Sequence, residues 1–233
     1  MAPSSAPGEI ASLLADAGLT ATAGQADALL RYLNLLEQWG ATYNLTAVRE
    51  RQAMLTHHLA DCLALLAPLS RHLTRGRVLD VGSGGGLPGV VIAIMLPGVE
   101  VTCVDAVAKK TAFIRQVAGA LGMPRLVVKH SRVEQLGPGA GFDLITARAF
   151  ASLSDFARLT HAQLASGGVW LAMKGRVPDD ELAALPATVD AFHVEQLQVP
   201  GLAAQRCLVW MRPRRPAEPT GEAAPPNCDT LPA

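Results

Sequence analysis

The sequence predicts an α/β protein: a mostly parallel, seven-stranded sheet with helices on both faces, preceded by a helical N-terminal extension. Three observations predict it. From Arg77 onward, short β-branched runs alternate with amphipathic helical stretches, the pattern of strands joined by helical crossovers. Between the first of these strands and its helix, Gly82-Ser83-Gly84-Gly85-Gly86-Leu87-Pro88-Gly89 forms a glycine-rich loop. Ahead of both, roughly 70 residues carry helical periodicity and no confident strand.

The N-terminal elements follow from spacing. After Gly8, Ile10, Leu13, Leu14 and Ala17 share one face of a short helix that Gly18 stops. Thr22-x-x-Gln25 is a capping box opening a longer helix. On it Ala26, Leu29, Leu30, Leu33, Leu36 and Trp39 recur every three or four residues. Tyr43-Asn44-Leu45-Thr46 reads as a turn. A third helix over 51–66 should bury Met54, Leu55, Leu59, Cys62, Leu63 and Leu66. Residues 9–70 are therefore expected to form a helical segment packed on, or covering the site of, a domain over 71–212.

In that domain, strands are expected over 77–81, 100–104, 125–129, 142–147 and 168–174. Helices are expected over 89–96, 108–121, 152–164 and 179–185, with a short connection around Val133-Glu134-Gln135-Leu136. Two late strands, 193–199 and 205–212, flank Pro200-Gly201 and can pair antiparallel to close the sheet edge. Residues 1–8 and the Pro-rich stretch 213–233 are expected to be disordered.

Composition narrows the class. Half of the 233 residues are apolar, which is enough for a full core. Apolar runs near the glycine loop are far shorter than the roughly 20 residues of a membrane span, so no membrane is expected. The first residues lack a basic stretch followed by an apolar one, so no secretory signal is expected. Cys62, Cys103, Cys207 and Cys228 are scattered without C-x-x-C spacing, which argues against a zinc site or a disulfide framework. A cytoplasmic location and a monomer are expected. The net charge is zero, which weakens a nucleic-acid reading without removing it, because basic residues still cluster at Lys109, Lys110 and Arg115 and at Arg206, Arg212, Arg214 and Arg215.

The loop allows two ligand readings. Gly84-x-Gly86-x-x-Gly89, with Asp105 about 20 residues on, satisfies the dinucleotide pattern. Asp80-x-Gly82-x-Gly84-x-Gly86 instead places an acid at the end of the first strand, pointing into the loop. Beside a pyrophosphate that acid would be repulsive; beside a ligand ammonium it is favourable. The acid resembles that of motif I in the class I S-adenosylmethionine-dependent methyltransferases, a Rossmann-like fold. Asp105, ending the second strand, can take ribose hydroxyls, and Glu134, after the third, sits where an adenine edge would lie. For either acid alone, a solvated or helix-capping role is the plainer reading.

The resemblance then becomes closer. Tyr43-Asn44-Leu45-Thr46, His58-x-x-Asp61, Asp80 through Gly89, Asp105-x-x-x-Lys109-Lys110, Ser131-Arg132-Val133-Glu134, Arg148-Ala149-Phe150-Ala151 and Lys174-Gly175 together resemble the RsmG family, also called GidB. The likeness spans roughly 25–212, and its most specific parts are Leu87-Pro88-Gly89 and Arg148-Ala149-Phe150-Ala151. It implies methylation of N7 of a guanine in the 530 loop of 16S ribosomal RNA, with S-adenosyl-L-methionine as cofactor. It also implies cofactor contacts at Gly82, Leu87, Val133, Glu134 and Arg148, which join Asp80, Gly84 and Asp105. The expected partner is 16S ribosomal RNA or the small ribosomal subunit. Gly85, where a proline is common, and Ala106, where a serine often stands, are small departures.

What is absent fits that chemistry. The place after the fourth strand holds Arg148-Ala149-Phe150-Ala151 rather than the Asp/Asn-Pro-Pro-aromatic motif of amine methylation. No cysteine lies between Cys103 and Cys207 to serve as the nucleophile for pyrimidine C5. Guanine N7 carries no proton and needs no general base, so no catalytic acid or base is expected. Arg148 can bind the cofactor or guide the guanine; the alternative is a salt bridge to Asp143 or Asp155. Lys174 can touch phosphate or simply be solvated. His57 and His58 lack a third ligand, so no metal is expected, and His58 reads as a core or domain-joining residue, with Asp61 as its candidate partner. Phe150 reads as packing ahead of base stacking.

Overall fold

A computed structural model describes residues 6–43, 48, 50–137 and 139–214. Most of the turn expected at 43–46, the outer part of the expected N-terminal tail, nearly all of the C-terminal one, and Cys228 lie outside them.

Among the described residues, four helical stretches precede the first strand. α1 (Ala6–Asp16) ends at Gly18, whose φ of 65° is the left-handed turn that glycine takes without strain. α2 (Ala23–Tyr43) opens on the capping box: Thr22 N donates to Gln25 Oε1 at 2.9 Å, and Gln25 N donates to Thr22 Oγ1 at 3.2 Å. The third helix comes as α3 (Arg51–Met54), a π-helical turn over Leu55–Ala60, and α4 (Asp61–Ala64). It stops at Leu65, and α5 (Leu66–His72) follows as a separate helix that periodicity does not separate. The reason is Pro68, which lacks the N–H that Ala64 O would need and whose ring crowds that carbonyl.

The remaining strands and helices are β1 (Gly76–Val81), α6 (Gly89–Met95), β2 (Val99–Asp105), α7 (Ala108–Leu121), β3 (Leu126–His130), β4 (Phe142–Arg148), α8 (Leu153–Thr160), β5 (Leu164–Lys174), α9 (Asp179–Ala183), β6 (Val189–Leu197) and β7 (Arg206–Pro213). They form a seven-stranded sheet of order β3-β2-β1-β4-β5-β7-β6. β7 runs antiparallel to both its neighbours, so the late strand pair joins the sheet through β7 and leaves β6 at the edge. β5 and β6 each start four residues before their expected positions. Register shifts at Phe142/Leu144 and at Ala191/His193 extend the pairing past residues that break alternation.

Two apolar layers flank the sheet. On one face Val78, Val101, Leu144 and Leu171 share a single core with Ile10, Leu29, Leu33, Leu59, Leu63 and Leu69 of the N-terminal helices. On the other, Leu79, Ile145 and Trp170 pack on Leu153 and Phe156 of α8. α2 also fastens the ends of neighbouring helices. Gln25 Nε2 donates to the carbonyls of Ile94 and Met95 at 3.2 and 3.0 Å, and Arg31 donates to that of Ala120. These carbonyls would otherwise be orphans at the helix C-termini.

Candidate active site

The strand order reverses between β1 and β4, so the loops after them part and open a crevice at the strands' carboxyl ends. There lies a cleft of about 600 Å³. One wall is the glycine loop, Gly82 to Gly85 with Leu87; the other carries Arg148, Lys174 and Arg206, with Asp61 and His58 from the helical segment.

Asp80 sets the loop's shape from beneath. It is fully buried, and its Oδ2 accepts from Gly89 N at 2.9 Å. A Cβ at residue 89 would lie 2.7 Å from that oxygen and 2.6 Å from Cys103 Sγ, which explains the glycine. Asp80 Oδ1 has no hydrogen-bond partner among the described residues. Burial pushes the carboxyl up to about 6, held in check by the Gly89 N–H and Ser83. Gly82, Gly84 and Gly86 all have positive φ. A Cβ on Gly84 would meet only Gly82 O, at 3.9 Å, so the backbone there stands open to the cleft.

The second acid holds the loop from the side. Asp105 is buried; its Oδ2 accepts from Gly84 N at 2.9 Å and its Oδ1 from Val107 N at 2.8 Å, with Lys110 Nζ 3.8 Å away. From above, Tyr32 of α2 donates its hydroxyl to Gly85 O at 2.6 Å. The ring of Phe150 lies against Gly82, where a Cβ would come within 2.8 Å of it, and packs edge-on to Phe156. Ala149, between Arg148 and Phe150, has φ of 53°, a strained conformation for a residue with a Cβ, sited beside the cleft.

Arg148 pairs with neither of the acids the sequence offered. Asp143 accepts from Arg77 N at 2.7 Å, and Asp155 is bonded to Arg158 and Ser152. Arg148 Nη1 instead donates to Asp61 Oδ2 at 3.1 Å and to His57 O at 2.9 Å. Asp61 Oδ1 accepts from Arg206 Nε at 2.7 Å. Lys174 Nζ donates to Glu181 and to Ala151 O rather than standing solvated. His58 is buried and its pKa falls to about 4, first through desolvation and then through Arg148, so it is neutral at pH 7.

Of the residues singled out from sequence, Gly82, Gly84, Leu87 and Arg148 line the cleft, while Asp80 and Asp105 shape it from behind. Val133 is buried in the core under α8, and Glu134 is exposed in a 3-10 turn after β3; neither is on the cleft wall. Sequence reasoning missed Tyr32 and Arg206 at the site. Tyr32 carried no signal beyond helical spacing, and Arg206 stood out only as one of a basic cluster. Asp61 was visible in His58-x-x-Asp61, although its partners were not. No group of three or more His, Cys, Asp or Glu suited to a metal occurs among the described residues.

This sheet order, with its antiparallel β7 and a glycine loop after β1, defines a class I methyltransferase fold. TrmN from Thermus thermophilus superposes with a TM-score of 0.53 at 21% identity, over 69% of this chain and 53% of that one. A predicted O-methyltransferase from Agrobacterium tumefaciens gives 0.51 at 23% identity, over 65% and 79%. Within that class, residues 25–209 match the GidB family, rRNA small subunit methyltransferase G. The chain is 59% identical over 192 residues to the ribosomal RNA small subunit methyltransferase G of Leptothrix cholodnii, covering 82% of this chain and 88% of that one. Against the protein of the same name from Bordetella pertussis it is 53% identical over 220 residues, covering 88% and 94%. The chain belongs to the rRNA small subunit methyltransferase G family.

Proposed function

We propose that this enzyme moves the methyl group of S-adenosyl-L-methionine to N7 of a guanine in the 530 loop of 16S ribosomal RNA, in the bacterial cytoplasm. Family membership supports the ribosomal RNA substrate, and the site supports the cofactor. The observation that carries the reading is the glycine loop bent over a buried carboxylate. Gly84 leaves backbone open to a ligand, and Asp80 Oδ1 is an acceptor without a partner among the described residues. An ammonium-bearing nucleoside suits both, whereas a pyrophosphate beside Asp80 does not.

When bound, S-adenosylmethionine supplies a methyl group on a sulfonium, an electrophile that needs no activation by the protein. Gly82 and Gly84 would receive it, and Asp80, buried beneath the loop and off the cleft wall, would offset its ammonium by charge through the loop rather than by contact. Asp105, already fastened to Gly84 and Val107, has lone pairs left for ribose hydroxyls. Leu87, Arg148 and the Val133-Glu134 pair are the remaining contacts the family pattern assigns.

The acceptor side matches a nucleophile that needs no base. Among the described residues Asp61 is the one carboxylate on the cleft wall, and both of its oxygens are bound by arginine. The wall therefore supplies orientation and positive charge rather than a proton acceptor. Arg148 and Lys174 stand where they can guide O6 or a phosphate of the incoming guanine.

Nucleoside mass spectrometry of 16S ribosomal RNA tests the substrate. Cells lacking this chain are expected to lose 7-methylguanosine in the 530 loop and to regain it on complementation; full persistence overturns the assignment. Calorimetric titration tests the cofactor: binding of NAD without S-adenosylmethionine would overturn it.

A further inference from the structure

Asp61 holds more positive charge than it balances. Its carboxylate, 4% exposed, lies between the ends of β4 and β7 and accepts from both Arg148 and Arg206. One arginine would neutralise the acid and tie the helical segment to the sheet. The second leaves about one unit of positive charge beside it, at a part-buried place where an unpaired charge is unfavourable. The other cations on the cleft wall have acids of their own. Lys174 is 2.8 Å from Glu181, and Lys110 is 3.8 Å from Asp105. His58 is neutral, and Asp80 is turned into the fold beneath the glycine loop.

Position adds to charge. Cys207 pairs with Lys174, the last residue of β5, so Arg206 stands just past the end of that strand. That is the β4–β5–β7 side of the cleft, across from the glycine loop, which the functional reading above leaves for the acceptor. Arg206 spends Nε on Asp61 and Nη1 on Gln205 O; among the described residues Nη2 makes no hydrogen bond. A guanidinium fixed through two of its nitrogens, with the third free, is held in place to donate to an oxyanion such as phosphate.

Resting on the functional reading above, we infer that Arg206 binds a phosphate of the RNA substrate and that Asp61 is the positioning residue that presents it. Asp61 thereby couples the two arginines of the wall, Arg148 and Arg206, through one carboxylate.

The test uses the full chain, S-adenosylmethionine, and small ribosomal subunits from cells lacking the enzyme. Arg206→Gln is expected to raise KM for the subunit about tenfold, the loss of one charge-assisted bond. It should also flatten the slope of log affinity against log salt by about one phosphate. Affinity for S-adenosylmethionine should stay within about twofold. Arg206→Lys keeps the charge without the fork and should recover the salt slope with part of the KM. Asp61→Asn should reproduce the KM effect and add little when combined with Arg206→Gln. An unchanged slope and KM in Arg206→Gln overturns the inference. Parallel loss of cofactor and RNA affinity also overturns it, since it marks a tie that only holds the fold. Absence of methyl transfer by the wild type would fell the functional reading and the phosphate seat together, whereas normal wild-type transfer with an unaffected Arg206→Gln removes the seat alone.

Discussion

Asp80 and His58 are buried ionisable groups whose acid responses oppose each other. Asp80 has its pKa raised by burial from 3.8 to about 6, so the folded state binds the proton more tightly than the unfolded chain. Its contribution to stability therefore grows as pH falls from 6 towards 3.8. His58 has its pKa lowered, by burial and then Arg148, from 6.5 to about 4, so it must stay neutral to remain buried. Its contribution is present above 6.5 and is lost as pH falls through 4. Each shift is of order 3 kcal/mol, and the two largely cancel in the wild type. Urea unfolding between pH 7 and 4 checks this. Asp80→Asn should steepen the loss of stability on acidification, and His58→Gln should reverse its direction. Identical slopes in all three proteins would mean that neither group titrates as its surroundings dictate. At this scale the sequence was partly legible: Asp80 stood out by its place before the glycines. Arg206 did not, because what distinguishes it is an acid 145 positions away in the chain.

At the scale of the element, α2 reaches the glycine loop through one hydroxyl. Tyr32 is fully buried, and its bond to Gly85 O joins an N-terminal helix to the loop after β1. Tyr32→Phe keeps the ring's packing and leaves that carbonyl without its donor. A stability loss of about 1 kcal/mol is expected. Affinity for S-adenosylmethionine should fall several-fold, because the loop's shape depends on the bond. Urea denaturation and calorimetry on the same samples check both, and a loop indifferent to the change would leave both untouched. The helix from Arg51 shows why elements were easier to place than their faces. Its existence followed from apolar spacing, but residues 58–63 are all buried, with polar His58 and Asp61 among them. Over those six residues the helix is enclosed on every side and leaves no solvent face for periodicity to reveal. The π-helical turn at Leu55–Ala60 was likewise invisible, since it is the surroundings that fix where a helix takes an extra residue.

At the scale of the molecule, the N-terminal helices share the cover of one sheet face with α6 and α7. Ile10, Leu29, Leu59 and Leu69 belong to the same core as Val78, Val101, Leu144 and Leu171. Removing residues 1–72 would uncover the part of that face that α6 and α7 leave open and strip the outer side of those two helices, and the fragment is expected to lose fixed packing and to aggregate. Near-UV circular dichroism and gel filtration report this. A monomeric fragment with cooperative unfolding would show that the sheet domain stands alone.

The succession of strands and helices, the glycine loop with its preceding acid, and the family could all be read from the chain alone, because these are local patterns of spacing and residue type. Element ends were legible to within a few residues; register shifts at bulges moved the rest. Which charges meet is fixed by the folded arrangement. Asp61, Arg148 and Arg206 come from three segments that the sheet's reversal brings to one cleft, and no local pattern encodes their distance. It also placed Val133 and Glu134 off the cleft wall and set Tyr32 on the loop. Periodicity fixes what each element buries, whereas the site is made where the ends of several elements converge.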